Sequence, residues 1–273
     1  MKPSSRLQSA FQGRVVFLTG AASGMGRAMV KLLVACGARV HAADRNADGL
    51  VSLAEETEGP GSLRSHVLDV SDAAAYLREV DETERTDGGI DYLFNNAGVT
   101  LVGAAHTIPF ERWKWLFDIN VMGVANGMQI VYPRMAARGA GHIVNTASLA
   151  GATGYASACA YTASKGFVIE LSRSTAAEAR AYGVKIHLVC PGYVDTNIFS
   201  QDRVVGADVG RMLGDLPIRM MTSERAAAAI LSGVARGREA IIFPFSSKFL
   251  WHVSHWAPGL LGPLQRHLMR LFS

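Results

Sequence analysis

Short runs of β-branched and apolar residues recur along the chain, each followed by a longer stretch whose apolar positions repeat with helical spacing. The runs are VVFL at 15–18, RVHAA at 39–43, LRSHVL at 63–68, DYLF at 91–94, HIVN at 142–145 and VKIHLV at 184–189. Strands alternating with helices predict a parallel sheet, because parallel neighbours need long crossover connections. Right-handed crossovers place helices on both faces, giving a doubly wound α/β architecture. Ligands on such sheets bind at the carboxyl ends of the strands, and the glycine-rich and polar segments of this chain lie at or just after those ends.

With 273 residues, 49% of them apolar, the chain can build one large α/β domain. A net charge of +4 without a block of lysine or arginine argues against nucleic acid as a partner. Cys36, Cys159 and Cys190 show no CxxC spacing and no partnering histidine or cysteine cluster. Neither a disulfide framework nor a metal site is expected, and the expected compartment is reducing. No secretory apolar segment opens the sequence and no run of about 18 apolar residues follows, so a cytoplasmic protein is expected.

The first strand runs into Thr19-Gly20-Ala21-Ala22-Ser23-Gly24-Met25-Gly26, after which RAMVKLLVACGA reads as a helix ending near Gly37. Glycines in a strand-to-helix turn let the backbone approach a pyrophosphate, whose charge is stabilised by free N–H groups at the helix N-terminus. Gly20, Ser23, Gly24, Met25 and Gly26 are the candidate contacts. Asp44 ends the second strand, 44 − 24 = 20 residues beyond Gly24, where an acid accepts hydrogen bonds from ribose hydroxyls. The same acid repels a 2′-phosphate and so points to NAD. Arg45 beside it is able to hold that phosphate or stack on adenine, which keeps NADP open. Asp69 and Val70 close the third strand and Asn96, Ala97 and Gly98 the fourth, where the adenosine would lie. For Asn96, plain turn chemistry weighs as much as a ligand role.

Tyr161 and Lys165 stand four residues apart in a helical segment and so share one face. A tyrosine with a pKa near 10 is a poor acid–base catalyst at neutral pH, and a neighbouring cation lowers that value. Ser148, just after the strand HIVNTA, offers a hydroxyl beside the phenol. Asn120 lies within a long helical stretch, where its amide bends the helix or holds a water.

TGAASGMG at 19–26, Asp44, Asp69 in LDV, NNAG at 95–98, Asn120, Ser148, YTASK at 161–165 and PGYVDT at 191–196 together resemble the short-chain dehydrogenase/reductase family, over about residues 13–242. The resemblance implies a Rossmann-like fold and a catalytic tetrad of Asn120, Ser148, Tyr161 and Lys165. It implies that Tyr161 exchanges a proton with a secondary alcohol or ketone while NAD(P) carries the hydride, with Ser148 on the substrate oxygen. Lys165 would bind the nicotinamide ribose, Asn120 a water leading to solvent, and Thr196, with Pro191, Gly192 and Val194, the carboxamide. A homodimer or homotetramer follows from the same resemblance.

Residues 1–242 then form a Rossmann-fold dehydrogenase domain with a lid at about 193–222. Phe199, Met212, Leu213, Leu216, Met220 and Met221 of the lid suit an apolar, adaptable pocket. Residues 243–273 form an aromatic and basic extension that either lies on a membrane surface or packs over the cleft or another subunit. Two other readings stay open: an NADP-dependent ketone or 3-oxoacyl reductase, and a non-catalytic dinucleotide-binding sensor or scaffold.

Overall fold

The computed structural model describes residues 3–196, 198, 201–205, 220–262 and 266. The chain opens with α1 (Ser5–Phe11), β1 (Val15–Thr19), α2 (Gly24–Ala35), β2 (Arg39–Asp44), α3 (Ala47–Glu56), β3 (Ser62–Val67), α4 (Ala73–Asp87) and β4 (Tyr92–Asn95). It continues with α5 (Phe110–Phe117), a π-helical turn (Asp118–Met122), α6 (Gly123–Ala137), β5 (Gly141–Thr146), α7 (Ala150–Thr153), α8 (Cys159–Ala179) and β6 (Val184–Pro191). Beyond these lie β7 (Val194–Asp195), β8 (Met221–Thr222), α9 (Ser223–Ala235), β9 (Ala240–Phe243) and α10 (Phe245–Trp256).

Seven strands pair in parallel in the order β3-β2-β1-β4-β5-β6-β9, and β7 and β8 form a small parallel pair apart. The order reverses between β1 and β4, the switch point at which doubly wound sheets open a crevice. Both faces of the sheet are covered. Val15 and Phe17 of β1 pack with Tyr76, Met128 and Val168 from α4, α6 and α8. Val16 and Leu18 pack with Leu7, Met29, Leu50 and Ile230 from α1, α2, α3 and α9. A strand buried on both faces reads as one apolar run, which is why VVFL shows no alternation.

Several elements, α1, β7, β8 and β9 among them, have no counterpart in the sequence pattern. Helix α1 buries only Leu7 and Phe11, and β9 is four residues long. Phe243 ends β9 inside one core and Trp251 of α10 sits in the other, with α10 packed against α7 and β9. Of the apolar lid residues, Met221 pairs with Val194, whereas Phe199, Met212, Leu213 and Leu216 lie outside the described residues. Among the described residues no helix is long and apolar enough to cross a membrane.

His142 of β5 stacks on His187 of β6, ring centres 5.2 Å apart. His187 Nδ1 donates to the Arg238 carbonyl at 2.6 Å, so its Nε2 accepts from His142 Nδ1 at 2.9 Å, and the two rings bond to each other while neutral. Burial, with His187 and Lys185 nearby, holds the His142 pKa down at about 3, against 6.5 in the open chain. Above pH 6.5 neither state binds the proton and the group is silent. As pH falls from 6.5 towards 3, the unfolded chain takes a proton that the folded chain refuses, and stability drops by up to about 1.4 kcal/mol per pH unit. Urea midpoints of the parent are expected to fall over that window more steeply than those of His142→Gln; equal slopes would contradict the assignment.

Candidate active site

The turn after β1 is built by glycines with left-handed backbone, φ +70° at Gly20 and +51° at Gly24. A Cβ at Gly20 would stand 2.8 Å from the Ala97 Cα, and one at Gly26 would overlap the Gly20 carbonyl oxygen. Thr19 Oγ1 accepts from the Asn96 and Ala97 amides at 3.1 Å each and donates to the Phe94 carbonyl. Asn96 Nδ2 donates to the carbonyls of Thr19 and Gly20 at 3.1 and 3.2 Å. The turns after β1 and β4 are thus bonded into one wall. Asn96 takes the turn role with its amide, while its Oδ1 is buried without a partner and available to a ligand.

Asp44 organises the next wall, accepting from the Ala22 and Asn46 amides at 2.9 Å each. Asp69 accepts from the Ser71 amide and hydroxyl, and the Val70 carbonyl accepts from Asn126 Nδ2. These walls enclose a cleft of about 330 Å³. Gly20, Ser23, Gly24, Met25, Gly26, Asp44, Arg45, Asp69, Val70, Asn96, Ala97, Gly98 and Thr196 all line it. Asn46, Leu68, Val99, Ile119, Ile198 and Arg203 line it too, and the sequence reading passed them over. Leu68, Val99 and Ile119 carry no signal distinguishing them from core residues, and Arg203 falls in the poorly periodic segment expected as a lid. A backbone cradle that Cβ atoms would fill, an orphaned buried carbonyl and apolar walls beside a carboxylate form a donor set that fits an adenine dinucleotide.

Pro191, Gly192 and Val194 do not line this cleft. The Pro191 carbonyl accepts from the Leu149 amide at 2.9 Å and the Gly192 amide donates to the Phe243 carbonyl at 2.7 Å. Val194 is buried, and through β7 this segment carries Thr196 over the glycine turn, where a Cβ on Gly24 would lie 3.0 Å from Thr196 Cγ2.

Helix α8 carries Tyr161 and Lys165 one turn apart. Ser148 stands beside the phenol, close enough to lower its pKa, and its Oγ accepts from the Ala150 amide at 3.2 Å. Lys165 is 3% exposed, and its Nζ donates to the Thr146 carbonyl at 2.9 Å, 6.0 Å from the centre of the Tyr161 ring. The expected lowering of the phenol pKa by Lys165 is not what the chain shows by itself. Burial pushes Tyr161 above 10, partly offset by Ser148, and drives Lys165 down to about 8. The reason is that a dry site disfavours both charges, and the ammonium is directed at Thr146 rather than at the phenol.

Asn120 sits in the π-helical turn, so the helix is widened there. Its Nδ2 donates to the Val99 carbonyl at 2.8 Å and Ser164 Oγ at 3.0 Å, and its Oδ1 accepts from the Val99 amide at 2.8 Å. With both amide hydrogens engaged, only the second lone pair of Oδ1 is left for the expected water. Gly98 joins the two parts of the site: a Cβ there would lie 3.1 Å from Lys165 Nζ and 3.2 Å from Asn120 Oδ1. Behind them a buried ladder runs from the Tyr76 hydroxyl to Asn95, Asn145 and Ser172 at 3.2, 2.9 and 3.1 Å. Asn145 was legible only as a polar residue inside an apolar strand.

Residues 14–204 match the short chain dehydrogenase family. A 3-oxoacyl-acyl-carrier-protein reductase of Thermotoga maritima is 36% identical over 186 residues, covering 68% of this chain and 76% of the relative. A 2-(R)-hydroxypropyl-CoM dehydrogenase of Xanthobacter autotrophicus is 37% identical over 191 residues, covering 67% and 75%. The crystal structure of a short chain dehydrogenase/reductase from Burkholderia phymatum in complex with NAD superimposes with a TM-score of 0.79, at 28% identity and 97% and 98% coverage. Fold, cleft and relatives define an NAD(P)-dependent oxidoreductase of alcohol and ketone groups. The chain belongs to the short-chain dehydrogenase family.

Proposed function

We propose that the chain interconverts an apolar secondary alcohol and its ketone in the cytoplasm, with NAD as coenzyme and Tyr161 as general acid–base. The observation that carries this reading is the placement of Ser148 beside the Tyr161 phenol, one helical turn from a Lys165 that meets the cleft wall at Gly98. The amides of the Gly20–Gly26 turn would hold the diphosphate, Asp44 the adenosine ribose, and Asp69 and Val70 the adenine. Lys165 would take the nicotinamide ribose and Thr196 the carboxamide. The bound nicotinamide supplies the hydride acceptor. As the phenolate, its own proton having left towards solvent by way of Lys165, Tyr161 would take the proton of the substrate hydroxyl, and Ser148 would hydrogen-bond the same oxygen. Lys165, with its pKa near 8, can pass a proton outward close to neutral pH. Asn120 holds Val99 and so fixes Gly98 beside that ammonium.

Tyr155, held through its amide to Thr162 at 3.2 Å, packs edge-on to Tyr193 and gives the substrate side an apolar surface. Three free cysteines accord with a reducing compartment. Phe110, Met122 and Phe167 are exposed along α5, the π turn and α8, an apolar surface that supports a homo-oligomer; light scattering giving a monomer would contradict it. Phe245, Phe249 and Trp256 are exposed on α10, and no acid follows Glu239, which supports contact with an anionic membrane surface. Failure to sediment with anionic vesicles would remove that contact.

Coenzyme choice is tested by titrating NADH and NADPH in parallel. Asp44, anchored on both oxygens at the ribose end, predicts tighter NADH. Tighter NADPH would mean that Arg45, exposed on the cleft rim, outweighs the acid and would favour the reductase reading. Binding of neither would favour neither coenzyme and remove the reading.

A further inference from the structure

The cleft contains a guanidinium that neither the fold nor the proposed proton transfer uses. Arg203 lines the same cleft as the glycine turn, and its Nε is buried without an acceptor while its Nη1 reaches the Ile198 carbonyl at 3.3 Å. A buried N–H without an acceptor is destabilising unless a ligand supplies one. The side chain is not there by default, because its backbone is stitched to the loop after β4. The Val102 amide donates to the Arg203 carbonyl at 3.0 Å, the Val205 amide donates back to the Val102 carbonyl at 2.8 Å, and Val102 and Val204 form a parallel bridge. Arg112 adds a bond to the Asp202 carbonyl. Gly103 permits this approach, since a Cβ on it would stand 3.0 Å from Val205.

Charge points to the kind of acceptor. Among the described residues the cations lining the cleft are Arg45 and Arg203, and Arg45 adjoins Asp44 at the ribose end. The glycine turn offers N–H dipoles but no formal cation. Burial, Arg45 and Arg112 all disfavour the Arg203 charge, and Asp202 offsets this only in part, so an arriving anion relieves three guanidinium groups at once.

We propose that Arg203 is the lid-side ligand of the dinucleotide diphosphate, placing a charged fork on the phosphate oxygens that the glycine turn meets with backbone amides. This rests on the reading of the cleft as the dinucleotide site. The test compares the full-length parent, Arg203→Gln and Arg203→Lys by calorimetric titration with NADH, NADPH, ADP and adenosine, beside a thermal melt of each. Arg203→Gln is expected to weaken NADH, NADPH and ADP alike by at least about tenfold, the scale of one charge-assisted hydrogen bond, to leave adenosine unchanged and to melt no lower than the unliganded parent. Arg203→Lys should recover part of the loss. Unchanged NADH affinity in Arg203→Gln would overturn the assignment, as would an equal loss for adenosine, and so would a loss confined to NADPH, which would place the guanidinium on the 2′-phosphate. A parent chain that binds none of the four would instead fail the underlying cofactor reading.

Discussion

Tyr161→Phe is expected to lose about a thousandfold in kcat while binding NADH within about threefold of the parent. The substitution removes one oxygen from a ring that does not line the dinucleotide cleft, and leaves Ser148, Lys165 and the glycine turn in place. What disappears is the group that takes the substrate proton. Among the described residues neither neighbour replaces it, because Ser148 is a far weaker base and the Lys165 ammonium is bound to the Thr146 carbonyl. Steady-state kinetics beside a fluorescence titration checks both halves. More than a tenth of the parent kcat would contradict the role given to the phenol.

Gly26→Ala is expected to weaken NADH binding by about a hundredfold or more and to lower the melting temperature by several degrees. An added Cβ would overlap the Gly20 carbonyl oxygen and stand 2.9 Å from Asn96 Nδ2. That carbonyl cannot simply move away, since it accepts from Asn96, whose own amide is bonded to Thr19. The turn that presents amides to the diphosphate must therefore open. Overpacking of this kind costs about 1–3 kcal/mol, and each kcal/mol shifts the melt of a chain this size by roughly 2–4 °C. Gly259→Ala, where a Cβ meets open space, serves as the control and should change neither quantity. An alanine at 26 that left both NADH affinity and the melt at parental values would contradict the close packing of this turn.

The parallel, doubly wound sheet and the glycine turn were legible because they rest on local rules: a buried run, glycines where a Cβ would collide, and an acid at the next strand end. The four residues proposed as a tetrad stood out because their types recur at family spacings; the structure brings Ser148 to Tyr161 and Lys165 to Gly98. Other parts depend on partners distant in sequence. β9 is too short to show a period, and the partner that makes it a strand is β6, some fifty residues upstream. Asn145 gains meaning only once β4 sets Asn95 beside it. The engagement of Asn120 with Val99 and of Lys165 with Thr146 is tertiary, so a spacing argument could place these side chains but not their bonds. The raised phenol pKa likewise comes from burial, which no pairwise motif encodes. Arg203 was hidden for a similar reason, since its place in the cleft is fixed by Val102 about a hundred residues earlier.

The most direct measurement mixes the purified chain with NAD and a panel of apolar secondary alcohols, and the matching ketones with NADH, and follows nicotinamide absorbance. NADH formed in step with ketone, and lost in Tyr161→Phe, is the predicted result. A chain that binds NADH yet neither reduces NAD with any alcohol nor oxidises NADH with any ketone would contradict the account and leave a dinucleotide-binding sensor in its place.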